Sequence, residues 1–127
     1  DTINIKDAYV INIGVNFEII PLPNYNNNEV LVKCINKLKD HFNIKYWQIN
    51  EPIIIKDIEI LLDKVEGVQT VKKVEIINLT GEEKGYSKYE YDITGATQNR
   101  IIYPSLDPMI FELKNPDFDI KGKTSLI

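Results

Sequence analysis

Between Tyr9 and Ile19 every odd position is apolar (Tyr9, Ile11, Ile13, Val15, Phe17, Ile19), and Asn12, Gly14, Asn16 and Glu18 fall between them. Successive side chains of an extended backbone point to opposite faces, so this period of two reads as a half-buried strand. A strand with one apolar row cannot stand alone; helices or a second sheet must cover that row. The remainder of the chain therefore has to supply the cover.

It does so in a regular order. Pro21-Leu22-Pro23-Asn24 ends the strand. Asn26-Asn27-Asn28-Glu29 then offers side-chain oxygens for a helix N-cap and an acid for the first turn. Val30, Leu31, Cys34, Ile35, Leu38 and Phe42 follow at helical spacing and predict a helix from about Glu29 to His41. Ile44 to Ile49 is a brief strand or extended connector, stopped before Pro52. A second apolar stripe, Ile54, Ile55, Ile58, Leu61, Leu62 and Val65, is helical from about Lys56 and closes at Glu66-Gly67. Val68 to Leu79 reads as a long strand whose apolar positions change parity between Val74 and Ile77, which predicts a bulge or cover on both faces. Past the polar turn Thr80–Gly85, Tyr86 to Ile93 suits an edge strand or an ordered loop and is read as strand, and a further short strand is expected over Ile110–Leu113.

The fold expected is an α+β two-layer sandwich in the order strand-helix-strand-helix-strand, ferredoxin-like in flavour, with an extended Pro-rich C-terminal arm. Residues 1–127 are expected to form a single domain, the C-terminal domain of a longer protein, with residues 8–79 as its α+β core and 80–127 as the arm. Strands joined through helices take right-handed crossovers where they run parallel.

Composition narrows the function classes. Nineteen acids against fifteen bases give a formal charge of −4, and no basic face is concentrated for phosphates, so nucleic acid is not an expected partner. No apolar run has membrane-spanning length, and the opening Asp1–Lys6 lacks the charged-then-apolar order of a signal peptide. A soluble chain without membrane partners is expected. The single cysteine, Cys34, lies within the first helical stripe and reads as a small buried hydrophobe in a reducing compartment. Fourteen of the fifteen bases are lysine, a bias that reflects an A/T-rich genome more than folding.

Catalysis has no specific support. The only histidine, His41, falls in the last helical turn, where the helix dipole favours a cation and solvation is the ordinary explanation. No nucleophile elbow or phosphate loop occurs. Asp107, Asp117 and Asp119 match no known metal-loop spacing and read as turn formers. Neither enzyme activity nor a catalytic, cofactor or metal site is expected. The aromatics carry more: tyrosine suits contacts where one end of a ring is buried and the other wet. Tyr86, Tyr89, Tyr91, Tyr103, Phe111 and Phe118 crowd the last third with Leu106, and Tyr46-Trp47 forms a second patch. These nine residues are the expected interface.

The closing segment mixes prolines, acids and large apolar side chains, so it must lie against protein. Its run Tyr103-Pro104-Ser105-Leu106-Asp107-Pro108, then Phe111-Glu112-Leu113-Lys114 and Asp119-Ile120-Lys121-Gly122, resembles the C-terminal end of the ring-forming baseplate wedge subunit of T-even-like contractile-tailed bacteriophages. Pro52-Ile53, Lys56-Asp57-Ile58 and Val65-Glu66-Gly67-Val68-Gln69-Thr70-Val71 are similar to the helix-then-Gly-Val pattern of the wider baseplate J-like family. The resemblance implies a virion structural protein of the tail baseplate, assembled in the host cytoplasm. Its partners would be itself, as a homodimer or ring, and other wedge proteins, with no cofactor. An alternative open from the residues alone is a small-molecule-binding or regulatory α+β domain.

Overall fold

The computed structural model describes residues 8–126, so the opening Asp1–Lys6 lies outside the described residues. The alternating run becomes strand β1, Tyr9–Pro21, and Ile11, Ile13, Val15, Phe17 and Ile19 make one continuous buried row. Helix α1 (Asn27–His41) and helix α2 (Ile55–Asp63) supply its cover, contributing Val30, Cys34, Leu38, Ile58 and Leu62 to the same core. The Asn26 side-chain oxygen accepts the Glu29 amide at 3.0 Å and caps α1. At the junction after α2, Gly67 has φ +95°, and a Cβ there would come within 2.7 Å of both Tyr25 and Val30. Only glycine fits this position.

Strand β3 (Val68–Asn78) lies antiparallel to β1, with Phe17 opposite Val74 and Val15 opposite Ile76. The register shifts between Glu18 and Ile19 and between Ile20 and Pro21. The irregularity therefore falls nearer the start of β3 than the parity change at Val74–Ile77 suggested. That change has the other cause: Ile76 faces the helices, whereas Ile77 sits over Gly14 on the opposite face, so the end of β3 is covered on both sides.

The molecule is a mixed α+β domain in which sheet and helices stack in layers. Its strand pairing departs from a ferredoxin-like arrangement. β1 and β3 pair directly and antiparallel although two helices separate them in sequence, and β2 (Ile53–Ile54) leaves the main sheet to pair with β5 (Ile101–Ile102). β4 (Thr97–Gln98) completes that small second sheet. The other side of β1 is taken by two parallel strands from the C-terminal third. β6 (Met109–Glu112) pairs with Tyr9–Asn12, and β7 (Ile120–Thr124) pairs with Val15–Ile19. The short helix α3 (Pro116–Asp119) steps between them. Residues 80–127 are thus not simply an appendix to an 8–79 core: Ile102, Met109, Ile110, Phe111, Leu113 and Ile120 are core residues. Tyr86–Ile93 forms no strand, and Ile44–Ile49 is a turn. Both stretches spend their backbone polar groups on side-chain and turn contacts instead of a ladder.

Candidate interaction surface

The expected interface residues divide by burial. Tyr46 (72% exposed) and Phe118 (75%) project fully into solvent, and Tyr103 is exposed beside β5. Tyr46 and exposed Ile44 leave the C-terminal end of α1, and Lys39 near that end pairs with Asp117 of α3. Phe118, adjacent to Asp117, therefore lies toward the same end of the molecule. Scattered apolar side chains are ordinary, but several rimmed by polar groups at one end mark contact surface.

Two of the nine are corrected. Trp47 (6% exposed) packs on Phe42 and His41, at ring distances of 5.1 and 5.6 Å, and Phe111 (2%) is central to the core. Neither reaches a partner, since each fills space that the sheet and helices would otherwise leave empty. Tyr86, Tyr91 and Leu106 are half-buried and committed internally. The Tyr86 hydroxyl donates to Asp119 Oδ1 at 2.6 Å, and that carboxylate holds the phenol above the usual tyrosine range. Tyr91 packs edge-on against Phe111 at 5.7 Å and donates its hydroxyl to the Tyr103 carbonyl. Leu106 packs against the core. Tyr89 is partly exposed and meets Tyr9 edge-to-face at 5.1 Å. Tyr9 is legible in the sequence only as the first member of the strand pattern, so its role at the surface cannot be read from spacing.

The polar residue that organises this region is Asn12, 1% exposed in β1. Its Nδ2 donates to Glu112 Oε1 at 2.7 Å, its Oδ1 accepts the Ser87 amide at 2.6 Å, and its carbonyl accepts the Asn78 side chain at 2.9 Å. Asn78 Oδ1 in turn accepts the Tyr91 amide at 2.9 Å. A satisfied polar cluster of this kind pins the 79–91 loop across the face of the sheet that the helices leave open. Asn50 does similar work at the outer edge of β6, donating its amide to the Met109 carbonyl at 2.7 Å and accepting the Met109 amide at 3.0 Å.

Beyond the loop, the open face carries charge. Asn16, Glu18, Lys73, Glu75, Lys121 and Lys123 line an open groove of about 320 Å³, in which Glu18 lies between Lys72 and Lys123. Charges of both signs neutralise one another there. Among the described residues no group of three or more His, Cys, Asp or Glu is placed to hold a metal. Asp107 instead accepts from Asn50, Asp117 pairs with Lys39 and Asp119 accepts from Tyr86. Burial pushes the Cys34 thiol up to about 11, where it is unreactive at neutral pH. His41 is lowered by burial between α1 and the Trp47 loop, against the opposing pull of Asp57 and Glu51. No described helix is long and apolar enough to cross a membrane. Comparison of the chain with protein-family models and with curated proteins yields no match.

Proposed function

We propose that this chain is a structural subunit of a contractile-phage tail baseplate. It pairs with neighbouring copies and with other wedge proteins, and so helps close the wedge ring around the tail hub. The observation that carries the reading is the closing run Tyr103–Gly122, whose residues resemble the end of the ring-forming wedge subunit. In this reading residues 80–127 are an arm with two duties. Its strands complete the sheet of their own domain, while its outward side chains meet a neighbour. Tyr103 and Phe118, with Tyr46 from the α1 end, are the groups of that second kind, and exposed aromatics of this type anchor subunit contacts.

The duty is mechanical and needs no reaction. Immunogold labelling of purified phage tails tests the assignment: antibody against this chain should decorate the baseplate of extended and contracted tails. Label on the capsid, or none on any virion, overturns it. The solution counterpart is sedimentation of the chain from micromolar to millimolar concentration. Association is expected, and Tyr46→Ser/Phe118→Ser should weaken it without lowering the unfolding midpoint.

A further inference from the structure

The two edges of the main sheet differ in how they end. On the β6/β7 side the strands are short, and Asn50 caps β6 by satisfying the outward amide and carbonyl of Met109. The β3 edge carries no such cap. β3 pairs only with β1, and among the described residues no other backbone hydrogen bond reaches it between residues 70 and 77. An unpaired strand this long is a template for another strand.

Which amides point outward follows from the contacts. The Leu79 amide donates to the Asn12 carbonyl, and the Tyr9 amide donates away to Pro108, so even-numbered residues of β1 address β3. Their partners Ile77, Glu75 and Lys73 address β1 in return, which leaves Val74 and Ile76 with their polar groups directed outward. A second strand must align with those outward groups.

Charge then selects one alignment. Lys73 and Glu75 stand two residues apart on the same face, both well exposed, at 4.0 Å from one another. In an antiparallel pairing of β3 with itself about a two-fold axis at Val74, Lys73 of each copy lies opposite Glu75 of the other. Shifting the axis to residue 73 or 75 sets two lysines or two glutamates face to face. Shifting it to 72 or 76 leaves both charges opposite uncharged residues. The Val74-centred register is the one that is complementary. A row of lysines alone would be the usual guard against edge pairing; alternating signs that match their own two-fold image are different. On the helical face of this edge, Ile60 of α2 is exposed beside Val71 and leaves the approach to the strand open.

We infer that the free edge of β3 is a self-pairing interface, joining two copies of this chain into one continuous sheet through an antiparallel β3–β3 ladder centred on Val74. This rests on the proposed function, in which the chain pairs with copies of itself, and it adds a main-chain contact distinct from the one made by Tyr46, Tyr103 and Phe118. The interface is isologous, so every contact occurs twice.

Charge reversal tests it. Lys73→Glu alone and Glu75→Lys alone should each weaken self-association about tenfold in sedimentation equilibrium, and the combined Lys73→Glu/Glu75→Lys swap should return it to within about threefold of the original. Independently, Lys73→Cys/Glu75→Cys should give, on mild oxidation, a dimer held by two bridges from residue 73 to residue 75, mapped by mass spectrometry. Cys34, being buried, should stay reduced. A dimer indifferent to all three charge variants and untrapped by the cysteines overturns the β3 ladder while leaving self-pairing standing. A chain that is monomeric at millimolar concentration and yields no cross-link overturns both.

Discussion

β1 is flanked on one side by β3 and on the other by β6 and β7, and the two flanks are made by different means. The β3 flank is one long antiparallel ladder reached through α1 and α2, with a regular apolar row against the helices. The β6/β7 flank is two short parallel pieces separated by α3, delivered by a segment with prolines at 104, 108 and 116. Main-chain ladder holds the first flank. The second depends also on individual side chains: Asn12 to Glu112, Asn50 to Met109, and Tyr86 to Asp119. Where a ladder is long, its repeated hydrogen bonds and buried row specify register; where it is short, single polar contacts must do so. The consequence for function is that the flank stapled by side chains offers only short strands at its outer edge, whereas the flank with the plainest ladder retains a long free one.

Three experiments bear on that contrast, beginning with the one of greatest effect. Phe111→Ala removes a ring buried in the parallel flank and should cost about 3–5 kcal/mol in chemical denaturation, whereas a loss under about 1 kcal/mol would mean that this flank detaches from the core. Asn12→Ala leaves the Ser87 amide and the Glu112 carboxylate without their partner and should cost about 1–3 kcal/mol. Hydrogen exchange should then speed up at Ser87 and leave the β3 amides that face β1 unchanged; uniform acceleration would erase the distinction between the flanks.

The smallest effect is a pH dependence on the helical side. The folded chain binds the His41 proton more weakly than the unfolded chain does, because burial lowers its pKa from the ordinary 6.5. Stability should therefore be level above that value and decline as pH falls from 6.5 toward the lower folded value, since there the unfolded state takes up more protons. His41→Gln should flatten this stretch of the stability profile, and an unchanged slope would assign it to carboxylates instead.

Much of the first flank is legible in the residues themselves. The alternation Tyr9–Ile19, the Asn26 cap and Gly67 each translate a local rule into a local conformation, and the elements fall close to where spacing sets them. The candidate surface is legible only in part. Tyr46, Tyr103 and Phe118 point outward, but Trp47 and Phe111 have the same residue chemistry and are buried. Composition cannot separate the two cases, because an aromatic ring is equally suited to a core and to a contact.

The amino-acid order by itself determines the central strand, its two covering helices, the α+β class and the need for the closing segment to lie against protein. Those follow from side-chain period, caps and turn residues, each acting over a few positions. The partners of β1 are decided only by tertiary structure: an antiparallel neighbour on one side, two parallel pieces on the other, and β2 drawn off to a second sheet. A strand presents backbone donors and acceptors along both edges without regard to residue type. Which segment arrives at each edge depends on chain closure over long separations and on a few buried polar groups such as Asn12.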